Sequence, residues 1–362
     1  MRILDQDLMR IDNLLTADEH DFYKDQVILI TGIAGSVGFE LVNYLLKYSG
    51  AKKIIGIDNL ILGYPVWLKR LVNAGIIDFY YRDISTVSLS EIRASEEASV
   101  IFHMASVASP VSYRENPLLT MDANVIGCRN LLDYYKDKKI KSFCYFSSSE
   151  IYGSPDIDHL PTDESYVGAV NCVGPRSCYD ESKRFSETLC YVFARQYGMP
   201  CCILRPFNIF GPGMKVNDGR IPADCAAAIL RDEDIKIFSD GTPTRTFCYI
   251  SDAVVWILKA AAKGRYEIFN IGSDGPELSI KDFCELCIKV GKKKRNYTHS
   301  FSFCVSDDKE YLTDNPPRRC PDLGHSSESI GFSPTVSVTD GIDRFLAFFN
   351  DYGDRFLEEW SW

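Results

Sequence analysis

Short apolar segments alternate with longer amphipathic segments along the first half of the chain. VILIT at 27–31 is an unbroken apolar and β-branched run, and comparable runs follow, of which SVIFHM begins at 99 and SFCYF at 142. The segments around 118–136 and 179–197 instead repeat apolar residues at helical spacing. Strands buried on both faces that alternate with helices predict an α/β fold with a doubly wound parallel sheet of the Rossmann type.

The alternation changes after the sixth apolar run, where loops rich in Gly, Pro and Asp precede further helices. A chain of 362 residues also exceeds the size at which a single core stops growing. We therefore predict a second, smaller α/β domain for the substrate. The predicted parts are an N-terminal extension at 1–24, a Rossmann domain at 25–205 to which 240–272 returns, and a second domain formed by 206–239 and 273–362.

Composition limits the partners and the compartment. A formal net charge of −10 argues against a nucleic-acid-binding surface. No apolar run approaches the roughly 18 residues of a membrane span, and the N-terminus lacks the apolar core of a signal peptide. Thirteen scattered cysteines fit reduced thiols, so we expect a cytoplasmic protein. Cys284 and Cys287 have no second ligand pair nearby, which favours buried helix cysteines and no metal site.

The segment TGIAGSVG places Gly32, Gly35 and Gly38 between the first predicted strand and the first long helix. In this context the glycines allow a tight turn, a close backbone approach to a pyrophosphate and close helix–strand packing. The pyrophosphate would lie at the helix N-terminus, formed by Ser36 and Val37. The alternative is a glycine-rich turn without a ligand.

Asp58 ends the second predicted strand, about 20 residues after the last glycine, where a carboxylate accepts hydrogen bonds from a ribose diol. An acid there repels a 2′-phosphate, and the following NLILG contains no Arg or Lys, so NAD is favoured over NADP. Asp83 ends the third strand. It could contact the adenine or only cap the strand end, and the sequence leaves both open.

Tyr179 and Lys183 are four residues apart on a predicted helix, so both side chains leave the same face. An ammonium beside the phenol, together with an oxidised nicotinamide, would lower the tyrosine pKa and let the phenolate take a hydroxyl proton as hydride leaves the same carbon. The fifth strand ends in SSSEIYG, which places Ser148 near the same substrate oxygen. Glu150 could act there or be an N-cap or surface acid.

These motifs resemble the extended short-chain dehydrogenase/reductase family of nucleotide-sugar epimerases, dehydratases and decarboxylases. The resemblance extends from about residue 25 to 350 and includes DANVIGCRNLL, RPFNIFGPG, TRTFCYISDAV and FNIGS. It implies catalysis by Ser148, Glu150, Tyr179, Lys183 and Arg245. It implies cofactor contacts from Gly32, Gly35, Ser36, Val37, Gly38, Asp58, Asn59, Asp83, Ile84, Ala105, Asn124, Tyr179 and Lys183. It implies substrate contacts from Ser109, Tyr113, Ser149, Arg176, Asn208, Arg220, Arg245, Tyr249 and Arg319.

Within that family, SYVGAVNCVGPRSCYDESKR and ASPVSYRENP are most similar to UDP-glucuronate decarboxylases. The resemblance implies oxidation at C4 by NAD, loss of the C5-carboxylate as carbon dioxide, and re-reduction. Arg176 would hold the anionic substrate or order its loop. Arg245 would bind the carboxylate, help to deliver a proton, or hold the diphosphate. Ser149 stands where the 4,6-dehydratases have an acid, which disfavours dehydration.

Several departures leave an alternative open. Ser148 replaces a more usual threonine, Ser182 replaces a glycine, and residues 1–24 have no recognised counterpart. A nucleotide-sugar or uronate 4-epimerase uses the same Tyr, Lys and NAD, and a silent NAD-binding protein is a further alternative. The resemblance also implies a homodimer through a four-helix bundle, for which the two long helices carry more apolar residues than one sheet face needs, including Leu131, Leu132, Leu189, Val192 and Phe193.

Overall fold

The computed structural model describes residues 1–216, 218–351 and 360. Its strands are β1 (Val27–Thr31), β2 (Lys53–Asp58), β3 (Asp78–Tyr81), β4 (Ala98–His103), β5 (Ser142–Phe146), β6 (Cys201–Pro206), β7 (Ile209–Phe210), β8 (Ile235–Ile237), β9 (Thr244–Arg245), β10 (Cys248–Tyr249), β11 (Glu267–Ile271), β12 (Leu278–Ser279), β13 (Phe301–Phe303) and β14 (Arg318–Arg319).

Helices connect and cover these strands. They are α1 (Ile3–Leu14), α2 (Ala17–Tyr23), α3 (Ser36–Lys47), α4 (Val66–Asn73), α5 (Pro110–Glu115), α6 (Pro117–Asp122), α7 (Cys128–Tyr135), α8 (Ser177–Tyr197), α9 (Ile221–Arg231), α10 (Ile250–Ala262), α11 (Ile280–Arg295), α12 (Gly324–Ile330) and α13 (Val338–Asn350). In the described part of the chain, no helix is both long and apolar enough to cross a membrane.

Seven parallel strands form the main sheet in the order β11-β6-β5-β4-β1-β2-β3. Side chains of β1 alternate between two apolar clusters, because successive residues of a strand point to opposite faces. Ile28 and Ile30 pack in one cluster, and Val27 and Leu29 pack in the other. Both faces of the sheet are therefore covered, which confirms the predicted doubly wound α/β fold. Its strand order reverses between β1 and β4, where such folds bind ligands.

The segment predicted to return to the first domain supplies an edge strand of this sheet. β11 pairs in parallel with β6, with Phe269 opposite Leu204. The segments after β6 also form smaller sheets, in which β9 lies between β12 and β14, and β8 pairs with β13. Cys284 and Cys287 are buried on α11. The domain boundaries themselves stay predictions.

The N-terminal extension is helical and packs against the body of the protein. α1 contacts α3, α10 and α13 and buries Asp7, Leu8 and Ile11. The Asp7 carboxylate accepts a hydrogen bond from the Tyr249 hydroxyl at 2.7 Å and two from the Arg344 guanidinium. A buried carboxylate of this kind is tolerated only with such partners, so residues 1–24 are part of the core of this protein.

The helical segment predicted near 118–136 contains a wide turn. α6 and α7 are joined by a π-helical turn at Ala123–Gly127, which holds Asn124 in the interior. The Leu131, Leu132 and Phe193 side chains are buried in the cluster that covers the sheet. The expectation that these residues face a partner subunit is therefore wrong, because the sheet itself takes up their apolar surface.

Candidate functional site

A cavity of about 450 Å³ opens at the carboxyl ends of the parallel strands. It brings together segments that are up to 287 positions apart, from Gly32 to Arg319. The predicted site residues that line it are Gly32, Gly35, Ser36, Val37, Gly38, Asp58, Asn59, Asp83, Ile84, Ala105, Ser109, Tyr113, Ser148, Ser149, Glu150, Arg176, Tyr179, Lys183, Asn208, Arg220, Arg245 and Arg319.

Two predicted site residues lie elsewhere. Asn124 is fully buried beside α8, where its amide donates to the Ser182 hydroxyl at 2.8 Å, so it supports the catalytic helix from behind and is not among the cavity-lining residues. Tyr249 is 1% exposed and donates to Asp7 of α1, so it does not line the cavity. The sequence could not show this for Tyr249, because its partner lies in the N-terminal extension, 242 positions away.

The glycine segment forms one end of the cavity in the manner that its motif predicts. Gly32 has φ +69°, and a Cβ there would lie 2.6 Å from the Ala105 nitrogen. A Cβ on Gly38 would lie 2.1 Å from the Ile33 oxygen, so only glycine fits this helix–strand contact. α3 begins at Ser36 with no side-chain cap from Gly35, which leaves backbone N–H groups at a cavity-lining helix end. Such an end fits a pyrophosphate.

Asp58 ends β2 and is positioned by the glycine loop. Its carboxylate accepts from the Ala34 nitrogen at 2.9 Å and from the Leu60 nitrogen at 2.8 Å. Burial raises the Asp58 pKa, and these two backbone donors oppose the rise. Each carboxylate oxygen keeps a lone pair for a further donor, as a ribose diol requires.

Asp83 has the contacts of a strand-end cap and also lies at the cavity wall. Its carboxylate accepts from the Ser85 nitrogen at 2.8 Å and from the Asn59 amide at 3.1 Å, as a cap of the β3 end would. The same side chain also lines the cavity next to Asn59 and Ile84. Asp83 can therefore cap the strand end and still be accessible to a bound adenine.

Tyr179 and Lys183 extend from the first turns of α8 toward the end of β5. The Lys183 ammonium donates to the Phe146 carbonyl at 2.6 Å and lies 5.6 Å from the centre of the Tyr179 ring. The Tyr179 ring stacks on Tyr113, with centres 5.1 Å apart. Ser148 follows β5 and lines the cavity near both. The phenol, the ammonium and the serine hydroxyl therefore meet at one place.

The pKa values in this centre are set first by burial. Burial raises the pKa of Tyr179 to about 12, although the nearby Ser148 hydroxyl opposes the rise. Burial lowers the pKa of Lys183 to about 7. The protein groups alone therefore do not lower the tyrosine pKa as the sequence led us to expect. A cation bound next to the phenol would have to supply that shift, as an oxidised nicotinamide does.

A second centre lies beside Tyr179, and we call it the Glu150 cluster: Glu150, Arg176, Asp180, Arg245 and Arg319. Arg319 donates to both oxygens of Glu150 at 2.5 Å, and Arg176 also donates to this carboxylate. The Arg176 Nε lies 3.6 Å from Asp180. Glu150 is therefore the shared acceptor of two guanidinium groups. The alternative that it is a surface acid or only an N-cap is excluded.

The Glu150 cluster has an excess of positive charge. Burial would raise the pKa of Glu150, but the charges of Arg319 and Arg176 hold it at about 2. Burial and the charge of Glu150 raise the Asp180 pKa to about 7, so this acid carries only part of a charge near neutral pH. Burial and the charge of Arg319 lower the Arg245 pKa to about 9, so this group remains cationic. Three guanidinium groups thus face one full carboxylate and a partly protonated one.

Arg245 has a fixed orientation within this cluster. Its terminal nitrogens donate to the carbonyls of Thr244 and Pro316 at 2.7 and 2.8 Å and to the Asn315 side chain at 3.0 Å. These bonds hold the plane of the guanidinium, which lines the cavity. β14 therefore supplies Arg319, and the segment before it orients Arg245.

Beyond Tyr179 the cavity continues along the N-terminus of α9. Arg220 pairs with Asp218, and the Ser109 hydroxyl donates to the Asp218 carbonyl at 3.2 Å. Asn208 lines the same wall and donates to the Thr246 carbonyl at 3.0 Å. The sequence did not single out Asp180, Asp218, Asp224 or Tyr311. The only signals were that Asp180 adjoins Tyr179 and that Asp224 follows Arg220 by one helical turn.

The described residues contain no group of three or more His, Cys, Asp or Glu side chains that could hold a metal ion. The side chains at the cavity provide a phenol, an ammonium, hydroxyls, guanidiniums and carboxylates. Groups of these kinds carry out proton transfer and anion binding in protein sites.

Comparisons with known proteins agree with this geometry. The model of the NAD dependent epimerase/dehydratase family matches residues 28–272. The curated UDP-glucuronic acid decarboxylase 6 of Arabidopsis thaliana is 33% identical over 321 residues, which are 89% of this chain and 88% of that protein.

Solved structures with the same fold include two epimerases. A UDP-glucose 4-epimerase of Thermotoga maritima with UDP-glucose has a TM-score of 0.78 at 26% identity, over 90% of this chain and 99% of that chain. A UDP-glucuronic acid 4-epimerase of Bacillus cereus in complex with UDP-glucuronic acid and NAD has a TM-score of 0.72 at 26% identity, over 90% of this chain and all of that chain.

Proposed function

The chain belongs to the NAD dependent epimerase/dehydratase family, and from that premise we propose that it is an NAD-dependent decarboxylase of a nucleotide-linked uronic acid, with UDP-glucuronate as the substrate to test first. The proposal combines the redox centre at Tyr179 with the Glu150 cluster next to it. The curated relative named above supports the choice of reaction and of substrate.

The observation that favours an acidic sugar is the charge of the Glu150 cluster. Arg176, Arg245 and Arg319 are each no more than 7% exposed. Within the Glu150 cluster, Glu150 is the one acid that is fully ionised near neutral pH, and the nearby Glu277 is already paired with Arg318. A buried positive charge without a matching anion is costly. A carboxylate on the substrate would supply that anion, whereas a neutral hexose would leave the charge unmatched.

The residues at the glycine end fit NAD. The cap-free start of α3 suits the pyrophosphate, and Asp58 suits the adenosine ribose and disfavours a 2′-phosphate. When bound, NAD accepts hydride from C4 of the sugar and later returns it, so the net reaction is redox-neutral. The protein would orient the sugar, transfer its protons and bind its charged groups.

Tyr179 would hold and move the proton of the C4 hydroxyl. In the phenolate form it takes this proton as the carbon is oxidised, and Lys183 stabilises that form by its charge. Ser148 donates to the same oxygen. The C4 ketone is β to the C5-carboxylate, so the C5–C6 bond can break with release of carbon dioxide. Its electron pair is then held in a C4 enolate, to which Tyr179 and Ser148 donate hydrogen bonds.

The Glu150 cluster would bind the carboxylate before this step and control the proton after it. Arg245 is fixed by backbone carbonyls, so its charge has a set position beside the substrate that a lysine would not keep. After carbon dioxide leaves, C5 takes up a proton from solvent, and Arg245 would help to deliver it. The C4 ketone is then reduced, with the C4 oxygen regaining its proton from Tyr179, and the product is a nucleotide-linked pentose.

Incubation with UDP-glucuronate tests the proposal directly. We expect carbon dioxide and a UDP-pentose, with no net accumulation of NADH, and no reaction of UDP-glucose under the same conditions. Arg245→Lys should abolish most carbon dioxide release. If UDP-glucuronate is left unchanged while UDP-glucose is inverted at C4, the decarboxylase proposal is wrong.

A uronate 4-epimerase is the second candidate, because the solved UDP-glucuronic acid 4-epimerase shares the fold and its substrate also has a carboxylate. Such an enzyme must keep the carboxylate on the ring while C4 is a ketone. Chromatography of the nucleotide sugars separates the two functions: an epimerase yields UDP-galacturonate without carbon dioxide, and a decarboxylase yields a pentose with it.

We also propose a homodimer through a four-helix bundle of α6–α7 and α8. The supporting feature is a set of exposed apolar side chains on these helices: Leu118, Met121, Ile126 and Phe185. Phe185 is 53% exposed in the single chain. Light scattering at micromolar concentration should give the mass of two chains, and Phe185→Glu should give one. Phe303→Glu, at a comparably exposed phenylalanine on β13, should leave the dimer intact.

For the location we propose the cytoplasm. The thirteen cysteines have no disulfide between them, and the Cys225 and Cys284 sulfurs approach only to 3.7 Å. Ten of these thiols are buried, which suits a reducing compartment. Mass analysis of the native protein should find all thiols free, and a native disulfide would contradict the proposal.

A further inference from the structure

Five acids line the cavity in the described part of the chain: Asp58, Asp83, Glu150, Asp218 and Asp224. Four of them are engaged by protein donors. Asp58 and Asp83 accept backbone hydrogen bonds, Glu150 accepts from Arg176 and Arg319, and Asp218 accepts from Arg220. The Asp224 carboxylate accepts none from the described residues. A half-buried acid without a hydrogen-bond donor is costly. We therefore expect the Asp224 carboxylate to accept hydrogen bonds from a bound ligand.

The place of Asp224 along the cavity limits what that ligand can be. It lies on α9 one turn after Arg220, so the two side chains are on the same face of the helix and their charges interact. The cavity runs from the glycine segment past Tyr179 to Arg220 and Asp224. If the sugar is at Tyr179 and the diphosphate is at Arg220, the next part of a nucleotide sugar to reach Asp224 is the ribose.

The surroundings of Asp224 agree with a nucleoside. The same end of the cavity is lined by Phe238, Phe247, Tyr311 and Leu312. The Phe238 and Tyr311 rings are 5.9 Å apart at 67°. Aromatic walls suit a planar base, and a carboxylate at their edge suits the hydroxyls of the attached ribose.

We propose that Asp224 is a specificity-determining residue that accepts hydrogen bonds from the ribose 2′- and 3′-hydroxyls of the substrate, so that the enzyme selects ribonucleotide sugars over 2′-deoxyribonucleotide sugars. This inference rests on the proposed function, since it takes the ligand to be a nucleotide sugar. The cavity would then have an acid for a ribose at each end, Asp58 for the cofactor and Asp224 for the substrate.

The electrostatic surroundings of Asp224 favour the binding of hydrogen-bond donors. Burial and the charge of Asp218 raise the Asp224 pKa to about 7, and Arg220 opposes the rise. Tyr311 and Cys284 also lie close enough for their charges to interact with it. Two hydroxyl donors would stabilise the ionised form, as charge-assisted hydrogen bonds do. The unliganded acid is therefore destabilising and the liganded acid is favourable.

Calorimetric binding of UDP and 2′-deoxy-UDP to the NAD-loaded protein tests the proposal without requiring turnover. The wild type should bind UDP about tenfold more tightly, the size of one charge-assisted hydrogen bond. Asp224→Asn should weaken UDP binding more than 2′-deoxy-UDP binding, because 2′-deoxy-UDP loses only the contact of its 3′-hydroxyl, and so remove most of the preference. Asp232→Asn, the same change at an exposed acid at the other end of α9, should keep the wild-type preference.

The outcomes separate the two proposals. If the wild type binds UDP and 2′-deoxy-UDP equally, or if Asp224→Asn weakens both equally, the ribose contact is wrong. If Asp224→Asn changes the preference between UDP and CDP instead, Asp224 contacts the base and the proposal is overturned. If the wild type binds no nucleotide diphosphate at all, the proposed function fails as well. Retained NAD and a melting temperature no lower than that of the wild type would show that the Asp224→Asn protein is folded.

Discussion

The cofactor half of the cavity consists mainly of backbone from one short segment, whereas the substrate half consists of charged side chains from distant segments. At the cofactor end, Gly32, Gly35 and Gly38 lie within seven consecutive positions and are followed by Asp58 at the end of the next strand. At the substrate end, Glu150 and Arg319 are in contact although 169 positions separate them.

This difference has a physical origin. A pyrophosphate is recognised by backbone N–H groups at a helix end, so the sequence needs only glycines at fixed offsets. A carboxylated sugar is recognised by fixed cations, and several cations can be buried together only if a carboxylate from elsewhere in the fold holds them. The cofactor half is therefore a local property of the chain, and the substrate half is a property of the folded protein.

The largest expected effect is at the centre between the two halves. Tyr179→Phe removes the hydroxyl that exchanges the C4 proton, and loss of a positioned acid–base group typically costs about 10²–10⁴-fold in rate. NAD should remain bound, because the glycine end is untouched. Carbon dioxide release measures the rate, and the NAD content of the purified protein measures cofactor binding. Tyr191→Phe, at an exposed tyrosine on the same helix, should change neither, and loss of NAD from Tyr179→Phe would contradict the separation of the halves.

Glu150→Gln probes the substrate half. It removes the charge shared by Arg176 and Arg319 and leaves buried guanidiniums unpaired, which should lower the free energy of unfolding by about 3 kcal/mol. A ligand carboxylate would restore part of the missing charge. Added UDP-glucuronate should therefore raise the melting temperature of Glu150→Gln more than UDP-glucose does. Equal stabilisation by both ligands would show that the Glu150 cluster does not meet a carboxylate.

Asp58→Ala probes the cofactor half. It should weaken NAD binding by about 1.5–3 kcal/mol, because hydrogen bonds to a charged acceptor are lost. It should also reduce the preference for NAD over NADP, which titrations with both cofactors would measure. UDP binding should stay at its wild-type value, since Asp58 lies at the other end of the cavity. An unchanged NAD affinity would mean that the ribose lies elsewhere.

The smallest expected effect is a pH dependence of stability at Asp224. Its folded pKa of about 7 lies above the ordinary value of 3.8. The folded protein therefore holds a proton that the unfolded chain has lost, and this acid's contribution to stability falls as pH rises from about 4 to 7. The Asp224→Asn variant has no titrating group at this position and therefore lacks this pH-dependent contribution to stability. Without nucleotide, the variant should match the wild type near pH 4 and exceed it by about 2 kcal/mol at pH 8.

Denaturant unfolding at the two pH values measures this difference. Asp232→Asn should show none, because that acid is exposed at the end of α9. A variant that is no more stable than the wild type at pH 8 would mean that Asp224 has a protein partner in solution, and the argument for a ribose contact would lose its basis.

Much of the fold could be predicted because its signals are local. Apolar runs such as Val27–Thr31 identify strands buried on both faces, and the spacing of Tyr179 and Lys183 already places them on one helix face. Three residues lie at places that no local pattern indicates. Tyr249 bonds to the N-terminal helix, Asn124 turns into the interior on a π-helical turn, and Leu131 is covered by the sheet.

The sequence by itself determined the doubly wound sheet, the glycine turn, the acid at Asp58 and the pairing of a phenol with an ammonium. These follow from steric fit and periodicity over a few residues, which chain connectivity alone enforces. Only the tertiary structure decided that Arg319 and Arg176 share Glu150 and that Arg245 is oriented by the segment before β14. It also decided that Asp224 faces the cavity without a donor among the described residues. Charges act through space and depend on burial, so their roles become fixed only when the fold brings distant segments together.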